Sequence, residues 1–158
     1  MNELRLKKKV LYIILAIIIT SVISAYYIEY ILGVKPCVLC IYQRIPYFVG
    51  LILCLGGLFD LNNMNWIRLV FLVFFLSILL SGYHVGIENG IIEEFKGCLN
   101  NLENPSNKED LLKSLSNKMP SCKDIEFKLF GLSLATINLF VSFTICLIIF
   151  LNRYEKNR

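Results

Sequence analysis

Four long apolar stretches constrain this chain more than any other feature. They run roughly from Val10 to Ile31, Cys40 to Phe59, Trp66 to Tyr83 and Gly131 to Leu151. Each is close to the ~20 residues that a helix needs to cross a ~30 Å hydrocarbon core. None alternates apolar with polar residues, so the stretches do not read as barrel strands. In lipid the remaining way to satisfy every backbone N–H and C=O is the helix. Composition agrees: 56% of the 158 residues are hydrophobic and 18% are charged, too apolar for an ordinary soluble domain. The expected fold is an all-α integral membrane protein. It is a single antiparallel bundle of four transmembrane helices, with one long loop between spans three and four.

Basic residues set the expected orientation, because cytoplasmic flanks carry excess Lys and Arg. Arg5, Lys7, Lys8 and Lys9 precede the first span, and Arg153, Lys156 and Arg158 follow the fourth. Both ends are therefore expected in the cytoplasm, and an even number of spans satisfies both. The first span is expected to be retained: it exceeds the ~7–15 residues of a signal-peptide core, and no small-residue cleavage pattern follows it. The short 60–65 link is then cytoplasmic, and loops 32–39 and 85–130 face outward, into the periplasm of a bacterial inner membrane. The long loop holds more acidic residues than lysines. The net charge of +4 arises largely at the two ends and points to no nucleic-acid partner.

The six cysteines divide by this topology. Cys37 and Cys40 lie on the first outward connection, Cys98 and Cys122 on the second, and Cys54 and Cys146 inside spans two and four. Outside an inner membrane the environment is oxidising, and an even number of loop cysteines reads there as two disulfides. Cys54 and Cys146 read as small buried hydrophobes. For the CVLC pair, a structural zinc site needs four ligands, usually two close pairs. Here the second pair is widely spaced and the one histidine, His84, sits near a membrane boundary, so no metal is expected. An inert staple closing so short a loop would constrain little chain entropy. Redox exchange explains the spacing best.

Arg44 follows Cys40 by four residues, so a continuous helix sets both on one face and its cation favours the Cys40 thiolate. The alternative is a side chain snorkelling its head to the interface. His84, in YHVGIENG, is either a polar anchor at a span end or a proton-handling group at the level of the cysteines. Pro46 is expected to free the Tyr42 carbonyl and bend the second span. In the long loop, Ser106 with Glu109 reads as a capping box opening a short helix through Leu111, Leu112 and Leu115. Ile125, Phe127 and Leu129, alternating with charged residues, read as an interfacial segment.

CVLCIYQR after the first span, YHVGIENG after the third, the isolated pair Cys98 and Cys122, and FGLSLATIN opening the fourth span together resemble the disulfide bond formation protein B family. The resemblance covers nearly the whole chain. It implies a thiol:quinone oxidoreductase with catalytic Cys37, Cys40, Cys98 and Cys122, and a quinone, ubiquinone or menaquinone, held by Arg44 and His84. It further implies a periplasmic thioredoxin-like partner, similar to disulfide bond formation protein A, that attacks the Cys98/Cys122 disulfide at Cys98. Cys122 then exchanges with Cys37, and Cys40 faces the quinone. Lipid and quinone are the remaining partners, and no second copy is required. Phe127 departs from the pattern, which would lead one to expect tryptophan. Two other classes compete: an oxidase like vitamin K epoxide reductase, against which the CVLCIYQR run directly after span one argues, and a non-catalytic membrane scaffold secured by structural disulfides.

Overall fold

The computed structural model describes residues 2–61, 63, 65–94, 120–123, 127–129 and 131–156. Cys98, the helix expected from Ser106, and Ile125 of the interfacial segment lie outside the described residues. The chain is mostly helical: α1 Asn2–Tyr30, α2 Val38–Tyr42, α3 Ile45–Phe59, α4 Asn65–Glu88 and α5 Leu134–Lys156. Taking α2 and α3 together, four helical segments are long and apolar enough to cross a membrane: Leu4–Tyr30, Val38–Phe59, Asn65–Glu88 and Leu134–Asn152. They form a bundle in which α4 packs on α3 and α5, and α1 packs on α3 and α5.

The interior face of each helix follows the 3.6-residue period. On α4 it is Ile67, Val70, Phe74, Ser77, Ser81 and His84; on α3 it is Tyr47, Gly50, Cys54 and Gly57. Without strong hydrophobic drive between helices in lipid, close approach depends on small residues at the contact. Gly50 shows the constraint directly, since a Cβ there would meet the Phe74 ring at 2.8 Å and Ile18 at 3.2 Å. Large side chains such as Ile52 (67% exposed) and Phe59 (92% exposed) point away from the bundle, as expected where lipid is the solvent. The polar Ser77 and Ser142 hydroxyls satisfy one another at 3.0 Å across α4 and α5.

Two details differ from the sequence reading. Span two is interrupted, with α2 stopping at Tyr42 and α3 beginning at Ile45, so that Pro46 occupies its first turn, while Gln43 and Arg44 between them keep helical dihedrals. Proline lacks the N–H that would bond the Tyr42 carbonyl, but its fixed φ suits a helix start. The chain turns at Gln43 and Arg44, with Arg44 N–H donating to the Ile41 carbonyl at 3.0 Å. The second difference is a short hairpin before α5, in which β1 Lys128–Leu129 pairs antiparallel with β2 Leu132–Ser133. It places Ser133 at the start of α5, beside the end of α4.

Candidate functional site

Cys37 is the N-cap of α2: its backbone is extended, and its sulfur accepts the Cys40 backbone N–H at 3.2 Å. One turn later, Cys40 brings its own sulfur to 2.9 Å from Cys37 Sγ, with both cysteines as free thiols. That separation is under ~1 Å beyond a disulfide bond. From the far side of the bundle, α4 brings His84, whose Nε2 lies 3.6 Å from Cys37 Sγ. Gln43, at the helix break, points its amide Nε2 to His84 Nδ1 at 3.0 Å. Glu88, one turn beyond His84, holds Oε1 3.8 Å from Nε2, while its Oε2 accepts the Ser133 hydroxyl at 2.5 Å.

Electrostatically the pair is asymmetric. The Cys37 thiol is lowered from 9.0 to about 5, first by the hydrogen bond from the Cys40 thiol, against the opposing effect of burial. The His84 hydrogen bond, the Cys40 backbone N–H and the His84 charge lower it further. In the dithiol state the negative charge therefore sits on Cys37, where the sequence argument had favoured Cys40. The reason is the set of donors that converge on Cys37: the Cys40 thiol and backbone N–H, and the His84 imidazole. Arg44 is turned to α1, ion-paired with Glu29 and stacked 5.0 Å over the Tyr26 ring.

These groups open on a cavity of about 300 Å³ between α1, the α2–α3 break and the start of α5. Cys37, Cys40, Arg44 and His84 line it, together with apolar side chains such as Val22, Ile137 and Val141. Tyr47 and Asn138, hydrogen-bonded to each other, form part of its wall, and Asn138 donates to Ser81 Oγ at 2.7 Å.

Cys122 reaches the same place from the segment before the hairpin. It is disulfide-bonded, buried, and packed in one apolar cluster with Cys37, Leu39 and Ile87. Glu94 holds it there, accepting the Cys122 backbone N–H at 2.6 Å and the Ser121 hydroxyl at 2.7 Å. Of the sequence candidates, Cys37, Cys40, Arg44 and His84 thus share one cavity wall, Cys122 packs beside Cys37, and Cys98 lies outside the described residues. Cys54 and Cys146 are free thiols in the main apolar core.

Sequence reasoning missed Glu29, Gln43, Glu94 and Asn138. Glu29, an acidic residue in the last turn of an apolar span, carried a usable signal, because ionisable groups in such places are costly and tend to be paired. Gln43 and Asn138 carried none on their own. Among the described residues, Cys37, Cys40 and His84 also form a cluster whose ligand atoms lie within 4.8 Å of one another.

The chain is similar to known proteins. The family model described as disulfide bond formation protein DsbB matches residues 7–152. An uncharacterized protein of Rickettsia prowazekii, RP370, is 34% identical over 144 residues, covering 88% of this chain and 82% of its own. Proteins named disulfide bond formation protein B from the Temecula1 and 9a5c strains of Xylella fastidiosa are each 25% identical over 116 residues, covering 68% of this chain and 67% of theirs.

Proposed function

The chain belongs to the DsbB family, and from that premise we propose that it is a thiol:quinone oxidoreductase of the bacterial inner membrane that reoxidises a periplasmic dithiol protein of the DsbA type. The CVLC end of the bundle then faces the periplasm, consistent with the basic residues at the opposite ends of α1 and α5. The observation that carries the reading is convergence. Two adjacent cysteines, a histidine and a disulfide-bonded third cysteine meet at an apolar cavity at one end of a membrane bundle.

Four of the six cysteines are free, so the pairing proposed for Cys122 is with Cys98. The partner's thiolate attacks at Cys98 and releases Cys122. That sulfur is packed in the same buried cluster as Cys37, so its exchange with Cys37 calls for local rearrangement and no long excursion. Cleavage of a Cys37–Cys40 disulfide by this route leaves Cys40 as the released thiolate on the cavity wall. Hydrogen bonds to Cys37 from His84 and the Cys40 backbone lower its thiol, which makes it a good leaving group in the reverse exchange and a poor holder of a proton.

The cavity suits a quinone ring: it is lined largely by apolar side chains, and among its polar groups Arg44 and the His84 imidazole are proposed to orient a bound carbonyl compound. A quinone bound there supplies a two-electron, two-proton acceptor. Arg44, neutralised by Glu29, holds a fixed cation on the wall. His84, tied to Glu88 and Gln43, is placed to hold and pass a proton at Nε2. Such an acceptor is needed on energetic grounds. Quinone-linked oxidation by this family is the standing example of how the periplasm is kept oxidising, and each ~30 mV of unfavourable potential costs about 1.4 kcal/mol.

The test is direct. Purified protein should oxidise a reduced dithiol partner when quinone is supplied and stop without it, and equal rates in both conditions would overturn the proposal. Running the assay with ubiquinone and with menaquinone identifies the acceptor.

A further inference from the structure

Spacing along the chain argues against a metal site, because the one histidine is 44 residues from the nearer CVLC cysteine. Folding removes that objection. In a tetrahedral site with M–S near 2.3 Å and M–N near 2.0–2.1 Å, the edges are ~3.8 Å for S···S and ~3.5 Å for S···N. The Cys37 Sγ to His84 Nε2 distance is 3.6 Å and the Sγ pair stands at 2.9 Å, so one edge fits and the other needs a small thiol rotation. Glu88 Oε1 lies 3.8 Å from Nε2 but outside the cluster in which Cys37, Cys40 and His84 offer ligand atoms within 4.8 Å of one another, so the fourth position falls to water.

We infer that the reduced site is a binding site for a thiophilic divalent cation of the zinc class, with Cys37, Cys40 and His84 as its protein ligands and water in the fourth position. The groups behind these ligands are already in place. Ser133 donates to Glu88 Oε2, which holds the carboxylate beside His84. Turning over the Gln43 amide would set its oxygen against Nδ1–H, the partner that a histidine ligated through Nε2 requires. Binding takes up the cation and releases the Cys40 thiol proton, Cys37 already being the thiolate; no electron moves. The site exists only in the dithiol state, since a Cys37–Cys40 bond leaves His84 alone of the three. The cation thereby competes with reoxidation and acts as a brake on the enzyme; this consequence, unlike the binding, rests on the redox function proposed above.

The test uses the full chain in detergent with a histidine-free tag and with Cys98→Ser and Cys122→Ser, so that only the α2 pair can respond. Titration with Co²⁺ should give the visible bands of a tetrahedral thiolate complex at one ion per chain after reduction, and none after oxidation. Cys40→Ser should weaken binding at least 100-fold and His84→Ala at least tenfold. If His84→Ala does not fold, Cys37→Ser and Cys40→Ser decide the point. No uptake by the reduced chain, equal uptake by the oxidised chain, or unchanged affinity in Cys40→Ser overturns the inference. In the otherwise unaltered chain, Zn²⁺ should suppress partner oxidation at least tenfold, and a chelator should restore it. Quinone-dependent turnover that persists where Co²⁺ is not bound overturns the cation site alone; binding without quinone-dependent turnover leaves the site standing and removes the proposed function.

Discussion

The middle of the bundle and its CVLC end solve opposite packing problems. In the middle, Leu11, Ile14, Ile18, Phe74 and Ile145 are buried with almost no polar atoms between them, and Gly50 lets α3 approach α4 to the limit set by the Phe74 ring. Stability there comes from contact area and shape. At the CVLC end, Cys37, Gln43, His84 and Ser133 are all buried polar or reactive groups, and each is partnered. A buried polar group without a partner costs ~1–3 kcal/mol, so this end is held by directional bonds rather than by fit. Both regions contain free cysteines, and the contrast shows why one set is chemical. Cys54 has only apolar neighbours in the main core, whereas Cys37 accepts a backbone N–H and faces an imidazole.

That contrast is broken most severely by substituting one sulfur in each region. Cys40→Ser should reduce quinone-dependent turnover to background while leaving the helical circular dichroism intact. Cys54→Ala should keep turnover within about twofold and lose ~1 kcal/mol of stability, in line with removal of a small buried apolar group. A loss of turnover in Cys54→Ala would place chemistry in the core and undo the distinction.

Next in size is the acidity of Cys37. Its thiol is lowered to about 5 from an unfolded value of 9.0, so in the reduced protein the thiolate persists as pH falls and disappears as pH passes about 5. Alkylation of Cys37 by iodoacetamide should therefore be nearly flat from pH 8 to 6 and drop about tenfold per unit below the transition, as read by mass spectrometry. The sign of the linkage follows. Between about 5 and 9.0 the unfolded chain binds the additional proton, so the reduced form gains stability as pH rises through that window and loses it as pH falls. His84→Gln should move the alkylation midpoint upward, and an unmoved midpoint would mean that the imidazole does not act on the sulfur.

The smallest expected effect lies in the middle of the bundle. Gly50→Val forces a Cβ into the space 2.8 Å from the Phe74 ring and should cost ~1–3 kcal/mol by overpacking, seen as a lower unfolding midpoint. The Cys37 alkylation profile should stay in place, because no bond of the CVLC end passes through Gly50.

Much of the fold was readable residue by residue. The four apolar runs gave four helices long enough to span a membrane, because in lipid the backbone has few other ways to pair its polar groups. Pro46 marked a disturbance in the second span but not its form. Gln43 and Arg44 keep helical dihedrals, so Arg44 stays on the cavity wall with Cys40 while pairing with Glu29 and Tyr26, and no local propensity specifies which neighbour a side chain will meet. The hairpin around Gly131, with φ of +82°, is likewise a turn whose register only pairing reveals.

Local sequence alone determined the membrane-spanning class and, through CVLC, a pair of sulfurs one helical turn apart; periodicity and covalent spacing suffice for both. Tertiary structure decided what those sulfurs meet. His84 from α4, Cys122 from beyond Glu94, and the apolar cavity against α1 and α5 come together through packing between helices distant in the chain. The acidity of Cys37 joins the hydrogen bonds of its near neighbour Cys40 to the encounter with His84. A charge on sulfur is set by the donors and the dielectric around it, and those are properties of the assembled bundle.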